Sequence, residues 1–455
     1  MPEFAILLPP TVLVILGLAS TRTAVLEDPE KLRGQIYEAT KMIADGKRDA
    51  ESENTLEGFA VSGLLYNRLF VSSKLPTLFT PIKVGTASLQ HRVALAPLTR
   101  YRASSEHVPT DLMVEYYSQR GSTPGTFLLT DATPIAAKAG GYEFIPGIYT
   151  DAQIAGWKKV VDAVHARGSF IFLQLWALGR AAKPDVLAKE AAKAGLPADA
   201  YPFVSASDIR IPDDDHAKGA IPRALTVPEI DEYVELYAQA AENAVKGAGF
   251  DGVEIHGANG YLIDQFLQTN SNVRTDAYGG SIENRARFGL RVVDAIASRV
   301  GPHHTAIRIS PWSTFQGMRM PDPIPTYTYF VSQLKARHPD LAYLHGVEGT
   351  EPTDSLDFVR DIWSKDGKGV FLSAGNHSRE SALRAAEEKG DIAVFGRWFI
   401  SNPDLPRRLK EDIPLTPFDY STFYTAGSPK GYIDYPFADD TPLEKEKPVE
   451  LEAHL

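Results

Sequence analysis

From position 75 onward, short runs of β-branched and aliphatic residues alternate with stretches whose apolar positions recur at helical spacing, the pattern of parallel βα units. Eight runs predict strands, at 93–97, 126–130, 170–175, 252–255, 306–309, 342–345, 370–373 and 392–395. Helices are predicted at 151–166, 281–299, 326–336 and 378–388, among others between the strands. Eight such units favour a closed α/β architecture, a (β/α)8 TIM barrel, over an open doubly wound sheet, and no GxGxxG follows the first strand to support a dinucleotide fold. The pattern changes before position 74. Residues 4–19 (FAILLPPTVLVILGLA) are apolar over the length of a signal-peptide core, short of a comfortable membrane span, interrupted by Pro9 and Pro10, and preceded by Glu3 rather than by Lys or Arg. They read as a signal or anchor, or else as a leader without fixed structure. Residues 27–73 are charge-rich, with one weakly helical patch at 31–43 and no sign of chemistry. The expected organisation is a non-barrel N-terminal extension over 1–73 and a barrel domain with a C-terminal tail over 74–455.

Composition narrows the partners. A chain of 455 residues that is 44% hydrophobic can bury a large core. A net charge of −11 without a dense Lys/Arg block argues against nucleic acid and against an anionic membrane surface, and favours a small-molecule substrate. The lack of cysteine excludes disulfides, thiolate metal sites, iron–sulfur clusters and Cys nucleophiles, and the 11 His show no HExxH spacing, so no metal is expected. Neither point fixes the compartment. The expectation is cytoplasmic, with the secretory pathway or a membrane anchor through 4–19 as the alternative, and a monomer or homodimer.

In a barrel of this kind the reactive face lies at the C-terminal ends of the strands. Those ends are unusually polar here: Pro97 and Thr99 after the first, Asp131 and Ala132 after the second, Gln174 and Trp176 after the third, His256 and Asn259 after the fourth, Arg308 at the fifth, Gly375 and Asn376 after the seventh, Gly396 and Arg397 after the eighth. A single Gln or His at a strand end is usually just a satisfied polar group; polar groups at seven ends are a pattern. SAGNHS (373–378) and the FGRWF beginning at Phe395 place glycines where backbone can approach an anion, with Asn376 and Arg397 beside them, which reads as a phosphate cradle. The bland alternative is that these glycines only turn the chain and Arg397 pairs with a carboxylate. After the apolar run 250–255, His256, Asn259 and Tyr261 fall within six positions.

Several motifs, in this order and spacing, resemble the old yellow enzyme family of FMN-dependent ene-reductases over about residues 78–437: APLTRYRA (96–103), AGGYEFIPGIY (139–149), LQLWALGRAA (173–182), HGANGYLIDQFL (256–267) with NVRTDAYGGSIENRARF, IRISP (307–311), GRWFISNPDL (396–405) and GYIDYPF (431–437). The resemblance implies FMN at the barrel mouth, its phosphate at Gly375, Asn376, Gly396 and Arg397, and its ring among Pro97, Thr99, Ala132, Gln174 and Arg308. Arg308 would stabilise negative charge on the reduced ring, Thr99 would tune its potential, and Gln174 would bridge its pyrimidine edge. It also implies that His256 and Asn259 hold the oxygen of a substrate carbonyl, that Tyr261 supplies a proton, and that Trp176, Tyr142 and Tyr424 wall the substrate site. Aromatics in such places are equally ordinary core. Asn272, Arg274, Tyr278, Glu283 and Arg285 read as scaffolding.

Two departures stand out: Ala132 occupies a position where many relatives have Gly, and VEGTEPTDSLDF (347–358) lacks a longer aromatic-bearing loop. The reading is an oxidoreductase in which NADPH or NADH reduces FMN, and an enone, enal or quinone then takes the hydride. A flavin-dependent isomerase or redox enzyme of secondary metabolism, and a catalytically idle membrane-tethered barrel, are the alternatives; the retained Tyr261 and the intact residue set weigh against them.

Overall fold

The computed structural model describes residues 75–440 apart from 213–216, 218 and 352. The apolar segment 4–19 and the patch at 31–43 lie outside the described residues, and no helix among the described residues is long and apolar enough to cross a membrane. The chain divides into two units, Met1–Leu75 and Pro76–Leu455.

Eight strands form a closed parallel barrel: β1 Val93–Leu95, β2 Phe127–Pro134, β3 Phe170–Trp176, β4 Gly252–Gly257, β5 Thr305–Ile309, β6 Tyr343–Val347, β7 Phe371–Ala374 and β8 Ile392–Phe395. Each pairs with its sequence neighbours, and β8 closes the ring on β1 through Ala393 opposite Val93 and Phe395 opposite Leu95. The strands are buried on both faces, as expected when helices cover the outside of a parallel barrel. The outer ring includes α1 Asp111–Arg120, α2 Asp151–His165, α3 Pro184–Lys193, α4 Val227–Glu242, α5 Leu262–Leu267, α6 Ile282–Val300, α7 Ile324–Arg337, α8 Asp357–Ser364, α9 Arg379–Arg384, α10 Arg397–Ser401 and α11 Leu405–Glu411. Local chemistry sets several starts. Thr150 and Gln153 form a capping box at α2, Thr226 and Glu229 form another at α4, and the Ser281 hydroxyl accepts from the Asn284 N–H at α6.

All eight expected strands are present; only β8 keeps both expected ends, and the other seven begin or end one to four residues from expectation. β1 stops at Leu95, two residues short of expectation. β2 runs four residues further, because after a bulge between Leu129 and Ala132 it resumes pairing with β3, Ala132 opposite Gln174 and Pro134 opposite Trp176. At the bulge the Gln174 N–H donates to the Thr130 hydroxyl at 3.0 Å, so no strand donor is lost. Asp131 and Ala132 therefore lie within a strand rather than after it, as do Trp176, the last residue of β3, and His256, the last but one of β4.

The barrel's interior is packed at its N-terminal end. Phe127, Phe172 and Tyr343 meet ring to ring with centroids 5.1–5.6 Å apart. A hairpin of Ile82–Val84 and Ala87–Leu89 packs Val84, Ala87 and Leu89 into the same cluster. Its turn sits so close to the β5 entry that a Cβ on Gly85 would lie 2.0 Å from the His303 carbonyl, and its φ of +55° is one that only glycine adopts freely. With that end filled, space for a ligand remains at the C-terminal mouth.

Candidate active site

At the mouth, a cavity of about 560 Å³ opens between the ends of β1 and β5–β8. Pro97, Arg308, Gly375, Asn376, Gly396 and Arg397 line it, six of the nine residues expected around the flavin. Asn376 adopts a left-handed conformation (φ +57°), and its side-chain oxygen accepts from the Arg397 guanidinium, so the two polar groups of the expected cradle are joined. Gly375 is where backbone must stay bare, since a Cβ there would meet Glu348 Cβ at 2.8 Å. Gln174 and Ala132 are buried beside one another across the β2–β3 pair, and Thr99 is half-buried in the loop after β1. Arg308 is almost fully buried and its Nε has no hydrogen-bond partner. A buried guanidinium donor left open at a cavity is suited to a ligand that brings acceptors.

Below the mouth, the alternation of β4 directs Glu254 and His256 to the same face, into the barrel. Glu254 is fully buried; its Oε1 accepts from Gln174 Nε2 at 2.7 Å and its Oε2 pairs with His345 Nδ1 at 2.8 Å. Burial opposes its ionisation, but His345, Arg308 and Gln174 outweigh burial and hold its carboxyl below the ordinary range. Burial lowers the His345 pKa; the facing Glu254 carboxylate opposes this and the Arg308 charge adds to it.

His256 lies opposite Arg308 in the β4–β5 register. Burial, then the nearby Arg308 and His345, push its pKa well below the usual imidazole value. The Ala258 N–H donates to its Nδ1 at 3.4 Å, which leaves the single ring proton on Nε2. Asn259 follows in a left-handed conformation (φ +56°), fixed where its N–H donates to the Ser310 hydroxyl at 2.7 Å. The Gly260 N–H then donates to buried Asp264, and α5 begins.

The Tyr261 ring stands edge-on to His256 at 4.7 Å and to Trp176 at 4.8 Å. Burial, with neighbouring Tyr101, raises its phenol pKa, while a Gln316 side chain bonded to it opposes the rise. Trp176 meets Tyr142 at 5.7 Å, Tyr142 meets Tyr101 at 6.3 Å, and Tyr101 meets Tyr424 at 6.1 Å. The three expected wall residues thus belong to one continuous set of rings.

Sequence reasoning missed Tyr101, which completes that set. It sits in the quoted APLTRYRA motif with φ +56°, strained for a bulky residue, and its phenol is pushed up to about 12 by burial and by Tyr424 and Asp131. Its loop is fixed from below: Asp131 takes the Arg100 N–H at 2.8 Å and the Tyr117 hydroxyl at 2.7 Å, so this carboxylate is a buried anchor. Glu254 and His345 were also missed; the available signal was a charged or titratable residue in the middle of an otherwise apolar strand. Trp312, Phe315 and Arg319 of the loop after β5 line the cavity too. Arg319 is tied to Asp354 by two bonds of 2.8 and 2.9 Å, which braces that loop against the short one after β6. The expected scaffold behaves as such: Asn272 donates to the Phe266 and Tyr278 carbonyls, Arg274 pairs with Asp276, and Arg285 donates to the Leu267 carbonyl and Thr326.

Residues 77–416 match the model of the NADH:flavin oxidoreductase / NADH oxidase family. The chain is 50% identical, over 83% of its length and 99% of the relative's, to the chanoclavine-I aldehyde reductase of Penicillium roqueforti (strain FM164). It is 46% identical, over 82% of its length and 98% of the relative's, to a protein of Epichloe festucae var. lolii named a probable inactive reductase. Among solved structures, Old Yellow Enzyme from Pichia sp. AKU4542 superposes with a TM-score of 0.73 at 40% identity, covering 82% of this chain and 96% of that one. The chain belongs to the NADH:flavin oxidoreductase family, that of old yellow enzyme, and is an NAD(P)H-dependent FMN oxidoreductase.

Proposed function

We propose that this site reduces the carbon–carbon double bond of α,β-unsaturated carbonyl compounds. The observation that carries the reading is the Tyr261 phenol, kept protonated by burial and packed edge-on against a neutral His256 whose free N–H is on Nε2. Gly375, Asn376, Gly396 and Arg397 hold the phosphate of FMN, and Pro97, Thr99, Ala132, Gln174 and Arg308 surround its ring. FMN, once reduced by NAD(P)H, supplies the hydride. His256 and Asn259 donate to the carbonyl oxygen, on which negative charge develops as the β-carbon receives hydride; two donors placed there lower the barrier by a few kcal/mol. Tyr261 delivers a proton to the α-carbon. Tyr142, Trp176, Tyr424 and Tyr101 enclose the acceptor and exclude water.

An unsaturated aldehyde is the first acceptor to test, because the 50% identical relative is named for an aldehyde. The enzyme is reduced with NADPH under anaerobic conditions and mixed with a conjugated enal, a cyclic enone and a quinone. Rapid return of the oxidised flavin spectrum with a saturated product supports the proposal; a spectrum that stays reduced with every acceptor refutes it. One other reading, an isomerase in which the hydride is returned, would use the same residues and is separated by its product. An isomerised alkene formed without net consumption of NADPH would favour that reading.

A further inference from the structure

We infer that Glu254 is a positioning residue that sets the balance of charge beneath the flavin, restraining the pull of Arg308 on the reduced cofactor and fixing the orientation of Gln174. The inference rests on the proposed seating of FMN against Arg308 and Gln174.

Three observations carry it. Glu254 is fully buried in the middle of β4, a place where a carboxylate is kept only if it is well paired. Both its oxygens are occupied, Oε1 by Gln174 Nε2 at 2.7 Å and Oε2 by His345 Nδ1 at 2.8 Å. Because the Gln174 amide donates a hydrogen bond to Glu254, it cannot flip without setting its carbonyl against a carboxylate; which end of the amide faces the ring is decided one strand away. The third observation is what Glu254 does not do. It forms no ion pair with Arg308, whose Nε is left without a partner, and His345 Nε2 is likewise buried and unpartnered. Arg308 and Glu254 thus balance as opposite charges inside the barrel while the guanidinium stays available to a ligand.

Charge added to FMN on two-electron reduction falls within this field. The couple takes up two electrons and one proton per FMN, so the reduced ring carries one negative charge more than the oxidised ring. Arg308 favours that charge and the fixed carboxylate disfavours it, and the low dielectric of the buried site strengthens both effects. Removing only the charge of Glu254 should therefore tighten binding of reduced FMN relative to oxidised FMN.

The test is a dithionite titration of the holoenzyme against a reference dye, with FMN affinity measured in both redox states. Glu254→Gln is expected to shift the ratio of the two affinities at least tenfold toward the reduced form, equivalent to about 30 mV upward for a two-electron couple. Glu254→Asp, which keeps the charge but shortens the reach to Gln174, is expected to hold the potential near the parent value while FMN binds more weakly in both states. An unchanged potential in Glu254→Gln, or equal weakening of both states in that variant, would overturn the inference. If Glu254→Gln does not fold, a potential shift in Glu254→Asp as large as the tenfold ratio would overturn it equally. Arg308→Met separates this from the reading beneath it: unaltered FMN affinity and potential in that variant would remove Arg308 from the cofactor site, and both proposals with it.

Discussion

His256 and Tyr261 show how one burial environment gives two side chains opposite tasks. Burial disfavours whichever form is charged, so it holds the imidazole neutral and the phenol protonated, and both enter a reaction as proton-bearing neutral groups. With Tyr261 as the proton source, Tyr261→Phe should slow reoxidation of the reduced enzyme by an enone about a hundredfold or more, the usual scale for losing a positioned acid, and leave flavin reduction by NADPH nearly unchanged. Stopped-flow measurement of the two half-reactions separates them; equal losses in both would remove Tyr261 from proton transfer. His256, Asn259 and Tyr261 were legible because they follow an apolar run that marks a strand, and their kind of chemistry needs a strand end. Glu254, two positions before His256 on the same face, was equally visible but lies below the mouth, where reasoning from strand ends does not look. Tyr101 escaped for a different reason: its place depends on a left-handed backbone turn that periodicity does not encode.

At the scale of elements, the hydrophobic pattern located every barrel strand but not every strand end. The end of β2 depends on a bulge held by the Thr130 hydroxyl and on renewed pairing with β3, contacts between segments more than 40 positions apart. A similar long-range device holds the C-terminal segment that carries Tyr424. Buried Arg102, in the loop after β1, donates to the carbonyls of Thr422 at 2.9 Å, Phe423 at 2.8 Å and Ser428 at 3.0 Å. Arg100 donates to the carbonyls of Phe423 at 3.0 Å and Gly431 at 2.8 Å. In sequence these arginines simply belong to the APLTRYRA motif; in the fold they strap the tail across the aromatic wall. Arg102→Met leaves several buried carbonyls without donors, and a cost of about 2 kcal/mol or more follows. The expected outcome is a lower melting temperature, new protease cleavage within 420–431, and a higher KM for the enone with FMN still bound. A variant as resistant to protease as the parent would show that the strap does not depend on Arg102.

For the molecule as a whole, the barrel separates its labours: rings and a hairpin fill the N-terminal end, and polar chemistry gathers at the other. That division predicts where stability responds to pH without involving the site. His91 lies at the filled end, buried, with its Nδ1 accepting from the Val93 N–H at 3.2 Å and its Nε2 set 3.1 Å from the Thr126 hydroxyl. The Thr126 hydroxyl donates onward to the Thr123 carbonyl, so it accepts from His91, and both ring nitrogens are committed in the neutral form. A second ring proton would face the Val93 N–H, donor against donor. Burial, and then the charge of Lys410, lower its pKa from 6.5 to about 4. The unfolded chain takes up this proton as pH falls through about 6.5 and the folded chain only near 4, so the stability His91 contributes is present above 6.5 and lost as pH falls to 4. The shift corresponds to a loss of about 3 kcal/mol across that window. Buried His256, His345 and His377 are depressed in the same sense, while buried Asp131, Asp264 and Asp391 are raised and act in the opposite one; all of them remain in a His91 variant. Denaturant unfolding of the parent and of His91→Gln from pH 7.5 to 4 therefore isolates one residue. The two stabilities should converge as pH falls below 6.5, and curves that stay parallel would mean that His91 titrates in the folded barrel as it does in the unfolded chain.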